Sequence, residues 1–236
     1  MRNRISKVIS GGRFLLPIGL LALVALVPAA YADTLLAPGG NQAPSYFTFV
    51  CCAALADTGV ETVTTSTFTA QVEEMVWADS GSGYFGTAGD LDFLYQVEVT
   101  SGPDQMGELS TTNFAGAQMD VGACAAPPVG CLPGILGWPG PNPGTVGPDS
   151  VGRDLAGDTG KFFFTSGGGV SPGTFTYDLV IETNATQFGA GTINLIDGSV
   201  GTAAGFGTVP EPTSVLLLSG VVLAAFGAIR RKTRLA

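Results

Sequence analysis

The chain has 236 residues, with nineteen Asp and Glu against ten Lys and Arg, and no histidine. The missing histidine removes the usual general base of serine and cysteine hydrolases and the commonest zinc ligand. Eight of the ten cations sit in the first thirteen and last seven residues, so residues 33–211 hold Arg153 and Lys161 against all nineteen acids, a net charge of −17; such a segment repels nucleic acid and anionic lipid.

Residues 1–32 read as a secretory signal peptide. Arg2, Arg4, Lys7 and Arg13 make a basic start, Phe14 to Val27 is apolar, and Ala30-Tyr31-Ala32 is an A-x-A site with cleavage before Asp33. Export of this kind runs through the Sec machinery. Residues 33–200 are then one exported domain, long enough for a real core.

The strand signals in that domain come in chain order. Tyr46 to Val50 is a first short candidate. Thr62 to Trp77 is a long one, with Phe68, Ala70, Val72 and Val76 on one face. Leu91 to Thr100 alternates most cleanly, with Leu91, Phe93, Tyr95, Val97 and Val99 inward and Gln96 and Glu98 outward. Leu109 to Phe114 and Gln118 to Val121 are weaker. Lys161 to Thr165, Thr174 to Thr183 and Gly191 to Ile196 complete the set, with Phe175, Tyr177, Leu179 and Ile181 lining one side of the second. No helical periodicity competes, so the expected fold is all-β, an antiparallel β-sandwich. Residues 123–160, rich in Pro and Gly, are expected as a long surface loop carrying Trp138. Residues 201–208, all small apart from Phe206, are expected as a linker.

Cys51, Cys52, Cys124 and Cys131 survive signal removal, and an even count in an oxidising compartment favours disulfides. Cys124–Cys131 is the preferred pair because it closes a short loop. Cys51 and Cys52 are either strained together or free, and crossed pairing of the two clusters stays open. Neither C-C nor C-x6-C is a zinc-ribbon spacing, so no metal and no cofactor are expected.

Catalytic signals are thin, and the chain is expected not to be an enzyme. Gly169-Val170-Ser171-Pro172-Gly173 matches G-x-S-x-G by letter, but Pro172 follows the serine where a nucleophile elbow enters a helix; a turn is expected. Glu73 and Glu74 are neighbours on a strand and point to opposite faces. Asp90 and Asp92 share a face, and a glycosidase needs two carboxylates about 5–9.5 Å apart; as ordinary residues they are a turn residue and a solvated strand face. Asp90 with Asp92, or Asp154 with Asp158, are candidate Ca²⁺ ligands outside any EF-hand spacing. Asn184-Ala185-Thr186 is a formal glycosylation sequon read here as a turn at a strand end.

The chain ends in a three-part tail, residues 209–236. Pro210-Glu211-Pro212 holds an extended backbone, since the residue before proline is pushed out of the helical region. Helix begins after it, capped by Thr213 or Ser214. Residues 214–229 carry no charge and at 1.5 Å per residue span about 24 Å, a little short of the roughly 30 Å hydrocarbon core. A single transmembrane helix is expected there, with Arg230, Arg231, Lys232 and Arg234 as its cytoplasmic stop. This tail resembles the PEP-CTERM sorting signal of exopolysaccharide-producing Gram-negative bacteria. The resemblance implies a membrane-embedded exosortase that reads and cuts near Pro210, Glu211 and Pro212, as a GPI signal is removed. It covers about one-eighth of the chain. Gly89 to Val97, Leu179 to Thr186 and Ile196-Asp197-Gly198 are similar to segments of one group of exported PEP-CTERM proteins, a group with no established activity.

These readings combine into an exported acidic surface or matrix protein, made as a membrane-anchored precursor and sorted by an exosortase, with a structural or binding role linked to exopolysaccharide. A polysaccharide hydrolase using Asp90 and Asp92 and a permanently anchored surface protein are the alternatives.

Overall fold

The computed structural model describes residues 35–47, 54–79, 81, 85, 87–124 and 144–209. The chain divides into two units, Met1–Ala32 and Asp33–Ala236, and every described residue lies in the second. Fourteen strands account for the fold among these residues: β1 Asn41–Gln42, β2 Ser45–Phe47, β3 Ala54–Asp57, β4 Glu61–Thr64, β5 Thr69–Ala78, β6 Leu91–Ser101, β7 Glu108–Thr111, β8 Met119–Cys124, β9 Ser150–Arg153, β10 Gly160–Phe163, β11 Thr174–Phe175, β12 Leu179–Thr183, β13 Phe188–Asp197 and β14 Ser199–Thr208.

They form two sheets. One has the order β1-β9-β10-β7-β13-β14. The other runs β2-β8-β12-β6-β5-β3, with β11 also on β6 and β4 also on β5. The all-β expectation holds. The ladders are antiparallel except β2 on β8, which is parallel, so the second sheet is mixed. Period-two alternation sends Val72, Val76, Phe93, Tyr95, Val121 and Ile181 of the eight-stranded sheet, and Leu109, Val151, Phe162, Ile193 and Leu195 of the six-stranded one, into a single cluster. Tyr95 spans the two layers: its ring lies 6.2 Å from that of Phe162, and its hydroxyl is 3.3 Å from Thr111 Oγ1.

Several strands differ from the expectation. Thr62 to Trp77 is a hairpin, β4 and β5, because Thr65 Oγ1 accepts from the backbone N–H groups of Thr67 and Phe68 and folds a turn. Thr174 to Thr183 is broken at Thr176, whose hydroxyl accepts the Val97 N–H in place of a ladder bond. The break puts Phe175 against the cluster on the outer face, while Leu179 and Ile181 stay in the core. Residues 123–160 include β9, which carries one core side chain, Val151, beside Gly152, too little apolar pattern to read as a strand. Residues 201–208 are no linker. They lie in β14, paired along all ten residues with β13. The inward positions of β14 are Gly201, Ala203, Gly205 and Gly207, and their smallness lets the other sheet close in. A Cβ at Gly205 would stand 2.7 Å from Glu74 Oε2.

The expected signal helix and tail helix lie outside the described residues. Among the described residues no helix is long and apolar enough to cross a membrane.

Candidate functional site

Acidic side chains gather on the outer face of the eight-stranded sheet. Val121, Ile181, Phe93 and Val76 point into the core, so their neighbours Asp120, Glu182, Asp92 and Trp77 point outward. The register sets Asp120 opposite Glu182, Glu182 opposite Asp92 and Asp92 opposite Trp77. Three carboxylates therefore lie in one row across β8, β12 and β6. Like charges directly opposite destabilise a ladder, and here all three are buried: Asp120 is 0% exposed, Asp92 3% and Glu182 3%. Burial, then Glu182, Asp79 and Asp90, push the Asp92 pKa up to about 8. The expectation of a solvated Asp92 is thus wrong: a second apolar cluster on this face, built on Phe47, Leu94, Cys124 and Val180, goes with the burial. Asp90 closes the turn into β6 through its carbonyl, which accepts the Asp79 N–H at 2.7 Å. Burial and Asp79 raise its pKa. Just before β12, burial pushes Asp178 up to about 7.

Glu73 and Glu74 take opposite faces, as the alternation requires, yet both are buried. Glu74 enters the core. Its Oε2 accepts the Phe206 N–H of β14 at 2.7 Å. Burial pushes its pKa up to about 8 against the pull of that N–H and of the Tyr95 hydroxyl. Glu61 makes the matching contact from β4, accepting the Ala204 N–H at 3.1 Å. Two carboxylates of one sheet thereby cap the edge of the other, and hydropathy gave no signal for either role.

Arg153, one of the domain's two cations, is also structural. Its guanidinium donates to Gly157 O, Leu36 O, Phe114 O and Ala117 O. It thereby fastens the segment before β1 to two turns beside a cleft of about 500 Å³ lined by Leu36, Pro38, Ala117, Met119 and Ala156. Lys161 pairs with Glu108 at 3.2 Å on the six-stranded sheet.

The remaining sequence candidates separate cleanly. Asp154 Oδ1 accepts the N–H groups of Asp158 and Thr159, a turn. Ser171 lies in a turn closed by Thr174 N–H on its carbonyl. Asn184 Oδ1 accepts the Gln118 N–H at 2.7 Å and ties the start of β8 to the end of β12. Among the described residues, no group of three or more Cys, Asp, Glu or His is placed to hold a metal ion. Cys124 is disulfide-bonded. Cys51, Cys52 and Cys131 lie outside the described residues, so the pairing does too. So do Ala30, Ala32 and Asp33, Trp138, the motif Pro210, Glu211 and Pro212, and the stop Arg230, Arg231, Lys232 and Arg234.

At the other end of the domain, β14 runs to Thr208, and the next N–H, that of Val209, donates to Gln187 O at 3.0 Å. The fold therefore holds the backbone up to the residue before Pro210. A family model described as the PEP-CTERM protein-sorting motif matches residues 208–232. The chain carries a PEP-CTERM sorting motif. Such a motif marks a protein for export and for exosortase-mediated sorting to the cell surface, and the match starts on the last residue of β14. Searches of curated proteins and of solved structures give no match for the chain.

Proposed function

We propose that this PEP-CTERM protein is a structural or binding component of the cell surface or extracellular matrix, linked to exopolysaccharide, and not an enzyme. The observation that carries the reading is the direct join between a folded acidic domain and the sorting motif. A chain addressed in this way delivers its β-domain outside the cell, and the buried Glu74 of that domain joins its two sheets. In this reading Sec export removes residues 1–32, the precursor is held by the apolar tail, and an exosortase cuts near Pro210 to Pro212. The purified domain, residues 33–209, is expected to cosediment with the producer's own polysaccharide, measured with and without Ca²⁺. No binding in either condition sinks the matrix role.

One observation favours a second reading. Asp92, its pKa raised, faces Glu182 in register, as the acid of a two-carboxylate hydrolase requires. Both are 3% exposed, which leaves a sugar no approach. Loss of depolymerising activity in Asp92→Asn and Glu182→Gln, with the fold intact, would make this reading the better one.

A further inference from the structure

The sorting motif leaves the domain with no slack. Val209 is fixed by its bond to Gln187, Pro210 follows, and the uncharged run begins at residue 214. Five residues span at most about 17 Å fully extended. Whatever engages Pro210-Glu211-Pro212 from within the membrane therefore meets the domain surface around the exit of β14. That surface is built from the turn after β7, the turn before β13 and the end of β14. Thr208 Oγ1 donates to Asn113 O, and Asn113 Nδ2 donates to Ala190 O. Asn113 holds its place in a left-handed conformation, φ 74°, so the corner is a built junction of three chain segments.

Its charge is the second observation. Residues 111–118, 183–196 and 198–209 contain no Asp, Glu, Lys or Arg, in a segment whose net charge is −17. Acidic side chains return at Glu74 and Glu61, which are turned onto the Phe206 and Ala204 N–H groups of β14, and on neighbouring turns at Asp90 and Asp158. A membrane-embedded partner and the anionic headgroups around it repel carboxylates brought within a Debye length. A neutral surface does not pay that repulsion.

The geometry points to the corner formed by Asn113, Gln187, Phe188, Ala190, Thr208 and Val209 as the surface that faces the membrane-embedded sorting enzyme while the tail is processed. The enzyme works on a domain that is already folded, and the sequence it reads starts at Pro210. The inference rests on the sorting reading and adds to it where the partner sits and in what state the substrate arrives.

The test is done on the full chain in the producing cell, following tail removal over time by intact mass. Gln187 and Ala190 are exposed, and neither side chain is the donor or acceptor in the bonds above. Gln187→Glu with Ala190→Glu is expected to slow tail removal about tenfold, as like charges at an interface do. Val200→Glu with Thr202→Glu, at the far end of the same strand pair, leaves the rate unchanged. A twelve-residue Gly/Ser spacer between Val209 and Pro210, about 19 Å in mean span, restores the rate of the Gln187/Ala190 variant, which a folding defect would not allow. Wild-type processing of that variant without the spacer overturns the inference, since it means the surface is not met or the cut precedes folding. Slow processing that persists with the spacer overturns it equally. A wild-type chain that keeps its tail throughout removes the sorting reading itself and this inference with it.

Discussion

The β5–β6 ladder and the β13–β14 ladder are both long antiparallel pairs, and they handle charge and size in opposite ways. The first carries Glu73, Glu74, Asp92 and Glu98 and fills the core with Val76, Phe93 and Tyr95. The second carries one acid, Asp197 at its turn, and lines its inner side with glycine and alanine on β14. The two are joined by carboxylates, since Glu74 on β5 caps the Phe206 N–H of β14. Acid is concentrated on one sheet, and the sorting tail departs from the other. A strand that contributes little apolar surface of its own is held by its neighbour's polar groups and by close approach.

The largest expected effect comes from deleting that second ladder. A chain of residues 33–200 loses β14 and leaves Glu61 and Glu74 without the N–H groups they accept. It is expected to lose cooperative unfolding by circular dichroism, whereas residues 33–209 keep it. Cooperative melting of the shorter chain would show that β14 is an accessory. Arg153→Lys comes next. A lysine cannot reproduce the fork that reaches four carbonyl groups, and hydrogen bonds to a charged group are worth about 1.5–3 kcal/mol. A loss of about 3 kcal/mol in urea unfolding is expected. Gly205→Val tests the close approach, and the clash with Glu74 and Ile193 should cost about 1–3 kcal/mol.

Acidity sharpens the comparison further. Glu74 and Asp92 hold protons up to about pH 8, and Asp178 to about 7. The unfolded chain releases them near pH 4. Folding therefore retains protons between these limits, and the stability present below the unfolded values is lost as pH rises through the folded ones. The melting temperature is expected to be higher at pH 5 than at pH 8.5. Glu74→Gln and Asp92→Asn should each flatten that slope and stabilise the domain at pH 8 by on the order of 1 kcal/mol. A melting temperature that rises towards pH 8.5 would contradict the assignment of Glu74, Asp92 and Asp178 as buried acids.

Much of the first ladder was legible in the sequence. Leu91 to Val99 alternates apolar and polar residues, and the structure buries the expected side. The second was not, because burial on β14 is achieved by Gly201, Ala203, Gly205 and Gly207, residues whose pattern of two has no hydrophobic contrast. The same blindness hid β9, where Gly152 follows the only core residue. Carboxylates misled in the other direction. Asp92 and Glu74 occupy positions that period two assigns correctly to a face, but an outward position need not be wet and an inward one need not be apolar. Alternation names the face; only the second layer decides what that face meets. The sorting motif was fully legible, since it is a linear signal that needs no tertiary context to be recognised.

Intact-mass spectrometry of the protein recovered from the cell surface and the medium tests the central claim most directly. The account predicts a species beginning at Asp33 and ending near Pro210 to Pro212, with all of β14 retained and the basic stop gone. A mass that includes Arg230 to Arg234 on all recovered protein, or one that ends before Ser199, would contradict it.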